Sequence, residues 1–337
     1  MSELASESPA QRSGTVARAW WAPVGIGLVL VAVFVVLVTV SATLRQYWPF
    51  LLLSAAVAAI PFLLRSAAPE RRRPLAAATT SASLVAERSG EVALRASAVS
   101  VPKASAAAGE NEDSYAIDAD TGYAAVADGA SASFRAADWA RELCGSFLAH
   151  RPLDGPASPS WIDAASAAFG RAASSGDPGA TDWWSADASR RGAHAAFVGL
   201  AVQRVEQGLV WRATAVGDCV LVHLRPDGDG PPIVTAFPID HSASFPQNPV
   251  LLSSAADRHP AVRSIDGAAA VGDTWLLMSD ELARWALRRH EGGEPVWADL
   301  ARGSDAQVRA LIGRARSDAG VADDDMTVVR CEVVPAG

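Results

Sequence analysis

Two kinds of hydrophobic pattern divide the chain. Between Ala22 and Leu44 no charged residue occurs, and Val, Leu, Ile, Phe and Ala dominate. After Arg45 a second uncharged run extends from Gln46 to Leu64. Apolar runs of about 18–20 residues match the ~30 Å hydrocarbon core of a bilayer, whereas buried core helices of soluble domains are usually shorter. The pattern predicts a transmembrane helical hairpin over residues 20–65, turning at Arg45-Gln46-Tyr47. Trp20, Trp21, Tyr47 and Trp48 stand at the run ends, where aromatic belts form. The small residues at Val40-Ser41-Ala42 offer a cleaved signal peptide as a competing reading, but the run is too long and a second one follows.

Further along, the apolar positions recur with the periods of strands and amphipathic helices. Ser114–Ile117 and Tyr123–Ala127 flank a turn rich in Asp, Thr and Gly and predict a hairpin. Ala195–Gln203, Val210–Val216 and Cys219–Leu224 are β-rich, and Gly217-Asp218 between the last two suits a type II′ hairpin. Ile233–Phe237, Thr274–Met278 and Met326–Val334 complete the strands. Ser133–His150 carries apolar residues on one helical side, and Ser304-Asp305-Ala306-Gln307 is a capping-box pattern that opens another helix. Hairpins separated by helices predict an α+β domain of antiparallel sheets covered by helices. The segment 151–192, rich in Pro, Gly, Ser and Ala, reads as a helix with loops. The expected organisation is a tail over 1–19, the hairpin over 20–65, a linker over 66–95 and a folded domain over 96–337.

Charge follows the same division. Residues 1–75 hold seven Arg and three acids, and the remainder holds 22 basic and 34 acidic residues, within a net charge of -8 for 337 residues. The Arg residues at 12, 18, 65 and 71–73 flank the apolar runs and predict that both ends of the hairpin are cytoplasmic. Half the chain is hydrophobic, which excludes a disordered protein, and its acidity excludes a nucleic-acid binder that works by neutralising phosphates. Three scattered cysteines, Cys144, Cys219 and Cys331, exclude a disulfide scaffold and fit buried free thiols.

The acids are not random within the domain. Asp128 and Asp280 end strands, while Glu112, Asp113 and the run Asp323-Asp324-Asp325 precede them. In an antiparallel sheet the start of one strand lies beside the end of its neighbour, so these carboxylates are expected to converge on one edge. Any one of them alone is an ordinary turn acid. Together they would repel unless cations neutralised them. Oxygen donors favour Mg²⁺ or Mn²⁺, and two such ions are the usual device for activating water against a phosphate ester.

In chain order, Asn111-Glu112-Asp113-Ser114, Ala127-Asp128-Gly129, Gly217-Asp218-Cys219, Asp240-His241-Ser242, Met278-Ser279-Asp280 and Asp324-Asp325-Met326-Thr327 resemble the motifs of the metal-dependent protein phosphatase 2C (PPM-type) family. The resemblance covers roughly residues 95–337. It implies two stacked antiparallel β-sheets flanked by helices, an αββα sandwich, and two Mn²⁺ or Mg²⁺ ions as cofactors. By position it implies that Asp128 bridges the metals, that Asp280 and Asp324 hold the first, and that the Gly129 carbonyl holds the second. Glu112 and Asp113 would act through bound water, and a water between the metals would attack phosphorus in line. Together with the apolar hairpin and its flanking Arg residues, the resemblance gives the expectation of a membrane-anchored, multi-pass phosphatase with its catalytic domain on the cytoplasmic side. Its partners would be phosphoserine and phosphothreonine in cytoplasmic proteins, together with a Ser/Thr protein kinase and the lipid bilayer.

The sequence departs from the family pattern in places. Ala108 stands where an Arg often binds the substrate phosphate, and Lys103, the chain's one lysine, is the nearby candidate to replace it. Glu281 follows Asp280 where Gly is usual, and Ala130 follows Gly129 where many eukaryotic members have His. Asp218 resembles a third-metal ligand, but Arg284 occupies the place of its expected companion, which favours a plain turn for Asp218. His241 reads as shaping a loop. Ala108 and Glu281 keep open the alternative of a catalytically weakened, phosphatase-like binding module at the membrane.

Overall fold

The computed structural model describes residues 92–106, 110–152, 160–174, 191–228, 231–255 and 259–336. The expected hairpin and most of the linker, as well as Ala108, lie outside the described residues. Among the described residues, no helix is long and apolar enough to cross a membrane.

The chain order is β1 (Val92–Val101), β2 (Asp113–Asp118), β3 (Tyr123–Gly129), α1 (Ala136–His150), α2 (Ser160–Ser174), β4 (His194–Val205), β5 (Gly208–Val216), β6 (Val220–Arg225), β7 (Ile233–Phe237), β8 (Leu252–Ser253), β9 (Arg263–Ala269), β10 (Thr274–Met278), α3 (Asp280–Glu291), α4 (Val296–Arg302), α5 (Asp305–Ala315) and β11 (Met326–Pro335). One sheet runs β1-β11-β10-β6-β7 and the other β2-β3-β4-β5-β9, with β8 beside β4. Every pairing is antiparallel.

The layers follow from strands that are apolar on both faces. In β3, Ala124 and Val126 point into the core between the sheets, among Leu94, Trp211, Leu221, Trp275 and Val329. The alternate residues Tyr123, Ala125 and Ala127 meet Trp139, Leu143 and Phe147 of α1 and Trp161 of α2. On the outer face of the other sheet, Val222, Leu276, Met278 and Val328 pack on Leu282, Trp285, Leu300, Val308 and Ile312 of α3–α5. The result is the expected sandwich of two antiparallel sheets between helices. The capping box forms as the sequence predicts, with Ser304 accepting from the Gln307 N–H and the Gln307 side chain accepting from the Ser304 N–H.

Two expectations need correction. Strand β1 starts at Val92, inside the segment read as linker, and pairs along its whole length with β11. The Gly217-Asp218 turn does not close a hairpin, because β5 and β6 lie in different sheets. Here the chain crosses from one sheet to the other, and Gly217 makes the bend with φ +88°. A Cβ at Gly217 would stand 2.7 Å from Ala196 Cβ and 3.0 Å from the Val250 carbonyl oxygen. Gly217→Ala is therefore expected to lower stability by about 1–3 kcal/mol, read as a drop in the urea midpoint at unchanged slope.

Candidate active site

The β2–β3 hairpin puts Asp113 directly opposite Asp128. The Gly129 N–H then donates to the Glu112 carbonyl at 3.2 Å. Only glycine fits at 129, because a Cβ would come within 2.8 Å of the Ala136 carbonyl oxygen. In the other sheet, Met278 at the end of β10 pairs with Val328 near the start of β11. The Ser279 hydroxyl oxygen accepts from the Thr327 N–H at 3.0 Å, which draws the ends of the two strands together. Asp280 opens α3 there, and Asp324 precedes β11.

Asp128, Asp218, Asp280 and Asp324 line one cleft of about 160 Å³, with Ser131 and Gln247 also in its wall. The acids come from corresponding ends of both sheets, not from one sheet edge as the strand pattern suggested. A larger cavity of about 420 Å³ lies by Val92, Thr121, Gln203 and Leu209, at the opposite strand ends, without such a convergence of charge.

Negative charge dominates the cleft, with Arg284 acting on Asp218 and Lys103 on Asp324 as the opposing cations. Burial pushes the Asp113 carboxyl well above the usual carboxylate range, against the opposing pull of the Thr327 and Ser279 hydroxyls. Asp128 is pushed well above that range by desolvation, and then by the charges of Asp113, Asp280, Asp324 and Asp218. Burial and the charge of Asp280 push Asp218 up to about 7. Asp324 is raised by burial and by Asp280. A cation in the cleft would relieve all four, and a hard, all-oxygen donor set fits Mg²⁺ or Mn²⁺. Among the described residues, no three Asp, Glu, His or Cys side chains stand as a ready-made metal-binding group.

Hydrogen bonds separate the three acids before β11. Asp325, almost fully buried, accepts from the Lys103 and Glu112 N–H groups, both at 2.7 Å. Asp323 accepts from the Ala104 and Ser105 N–H groups at 2.7 and 3.0 Å. Both therefore fasten the β1–β2 connection, and Asp324 is the one that faces the cleft. Glu112 does not line the cleft wall. It accepts from Lys103 Nζ at 2.7 Å and from the Ser131 hydroxyl, and Lys103 Nζ also donates to Ser131 Oγ at 3.1 Å. Lys103 thus stands beside the rim through Ser131.

Asp218, which reads as a plain turn acid in the sequence, is carried into the cleft wall by the sheet-to-sheet crossing. Nothing in the sequence pattern distinguishes a role for Asp325 or Glu281. Acids next to cleft carboxylates were the available signal, but the bonds that distinguish them are tertiary. His241 precedes a short loop turn, Ser242–Ser244, and is not among the residues that line the cleft. The three cysteines are free and buried, as expected.

The fold is that of the PPM-type Ser/Thr phosphatases. The solved Mycobacterium tuberculosis serine/threonine phosphatase PstP/Ppp superposes with a TM-score of 0.50 at 20% identity, over 72% of this chain and 99% of that one. The catalytic domain of serine threonine protein phosphatase PstP, in complex with two manganese ions, gives 0.49 at 21% identity, over 72% and 100%. The PPM Ser-Thr phosphatase MsPP from Mycobacterium smegmatis, in complex with cacodylate, gives 0.45 at 18% identity, over 70% and 97%. No protein-family profile and no curated protein matches the chain.

Proposed function

We propose that the chain is a membrane-anchored, metal-dependent phosphatase acting on phosphoserine and phosphothreonine in cytoplasmic proteins. The observation that carries this reading is the convergence of Asp128, Asp218, Asp280 and Asp324 in one cleft of a fold shared with Ser/Thr phosphatases. Asp128, Asp280 and Asp324 would hold two Mn²⁺ or Mg²⁺ ions with the Gly129 carbonyl, and Asp113 and Glu112 would support them. When bound, such ions lower the pKa of water and neutralise charge that develops on a phosphoryl group.

The chain's own residues set the rest. Asp113 and Asp128 are fixed by strand register, so their spacing does not depend on a loop. Asp325 and Asp323 hold the backbone that carries Lys103 and Glu112. Lys103 offers an ammonium at the rim for the substrate phosphate, with Ser131 as a second donor. The apolar runs 22–44 and 46–64 support the anchor, and their flanking Arg residues support the cytoplasmic side.

The test is hydrolysis of a phosphoserine or phosphothreonine peptide by the full-length protein in detergent. Turnover is expected with Mn²⁺ and none with excess chelator. No turnover together with no Mn²⁺ binding would replace the enzyme by the binding module.

A further inference from the structure

Glu281 is a buried carboxylate, 3% exposed, one residue beyond Asp280 in the first turn of α3. Its two oxygens go to different places. Oε1 accepts from the Ala322 N–H at 2.8 Å, and Oε2 takes an ion pair from Arg284 one turn further along the helix. Ala322 belongs to the loop before β11 that bears Asp324. Its carbonyl in turn accepts from the Asp324 N–H at 3.1 Å. The Asp324 carbonyl accepts from Arg316, which also donates to the Val101 carbonyl. The same loop reaches the Lys103 side of the site through Asp325 and Asp323.

We propose that Glu281 is a positioning residue for this site: it clamps the 321–325 loop to α3, so that Asp324 faces Asp280 and the loop's other acids hold Lys103 and Glu112 at the rim. The inference rests on the phosphatase reading. Successive residues on a helix point about 100° apart, so Asp280 can face the cleft while Glu281 faces the loop. A buried carboxylate is costly to keep unless both oxygens are satisfied, and here one of the two partners is the loop itself. Losing it would leave the Ala322 N–H and the Arg284 guanidinium without that acceptor, and the loop would lose its tie to α3 on the side that carries Asp324. Glu281, standing where glycine is usual in the resembled family, would thus take part in assembling the site.

The experiment is Mn²⁺ calorimetry and phosphopeptide kinetics on the full-length protein in detergent. Glu281→Gln keeps an oxygen for the Ala322 N–H and is expected to bind Mn²⁺ within a few-fold of the wild type. Glu281→Ala is expected to weaken Mn²⁺ binding by about 10–100-fold, as loss of a ligand-supporting group does. Saturating Mn²⁺ should then restore most of kcat, since no reacting group has been removed. Wild-type Mn²⁺ affinity in Glu281→Ala, or equal weakening in Glu281→Gln, would overturn the proposal. If Glu281→Ala does not fold, Ala322→Pro removes the N–H and leaves Glu281 in place. It should reproduce the weakening, and wild-type affinity there would also overturn the proposal. A wild-type protein that binds no Mn²⁺ would instead bring down the phosphatase reading, and this inference with it.

Discussion

Asp128→Asn should lower phosphopeptide turnover by about 10³-fold or more at saturating Mn²⁺, and the metal-free fold should survive. Asp128 is the carboxyl that feels the charges of Asp113, Asp280, Asp324 and Asp218 together, so it lies electrostatically at the centre of the cluster. Asn keeps its shape but removes the negative charge and puts an amide donor where a cation would sit. Stabilisation of transition-state charge by bound metal is worth several kcal/mol, and each 1.36 kcal/mol is tenfold in rate. Stability should move the other way. The ionised form of Asp128 is disfavoured in the folded protein, so replacing it by a neutral group removes a repulsion. Turnover, Mn²⁺ calorimetry and thermal unfolding in chelator check the three parts separately. Near-normal turnover in Asp128→Asn would exclude this cleft as the catalytic site.

Part of this site could be read from the chain because it is local. The Asp120-Thr121-Gly122 turn between two short apolar strands specifies the β2–β3 hairpin, and that hairpin alone puts Asp113 opposite Asp128. Asp280 and Asp324 require a longer-range pairing of β10 with β11, which two apolar strands with acids at opposite ends suggest. The failures have one physical origin. Around Gly217 the local residues suit a hairpin equally well. What separates β5 from β6 is that β5 finds β4 and β9 as neighbours while β6 finds β10 and β7. Strand β1 is rich in Ala and Ser like the chain before it, and only its ladder with β11 distinguishes it. Strand β9 is an edge strand with mostly exposed and half-exposed residues, so it has no apolar pattern to read. Composition cannot separate Asp323, Asp324 and Asp325, because the distinction lies in which backbone N–H each one meets.

The metal-free protein should become more stable as pH falls from about 8 to about 5, and Mn²⁺ should reverse that slope. Asp218 is pushed up to about 7, and Asp113, Asp128 and Asp324 are raised as well. An unfolded Asp titrates near ~3.9. Between that value and the raised ones, the folded state binds more protons than the unfolded state, so stability rises as pH falls through the window. The gain is complete below about 3.9. Each tenfold gain in proton affinity on folding contributes about 1.36 kcal/mol, so the total is of the order of a few kcal/mol. Asp273 acts in the opposite sense but in a different window. Although it is buried, His223 and Arg225 hold it down to about 2. It stays ionised from pH 8 to about 5, and its contribution is lost only as pH falls from about 4 through about 2. The metal-free optimum is therefore expected near pH 4–5, roughly where the two effects cross. With Mn²⁺ present, the cleft carboxylates must be anions to bind, so protons compete with the metal and stability should fall over the same interval. Thermal midpoints at several pH values, with chelator and with Mn²⁺, read both slopes. A chelated protein whose midpoint falls from pH 8 to pH 5 would mean that burial and mutual repulsion do not raise these acids, and the case for a cation among them would go with it.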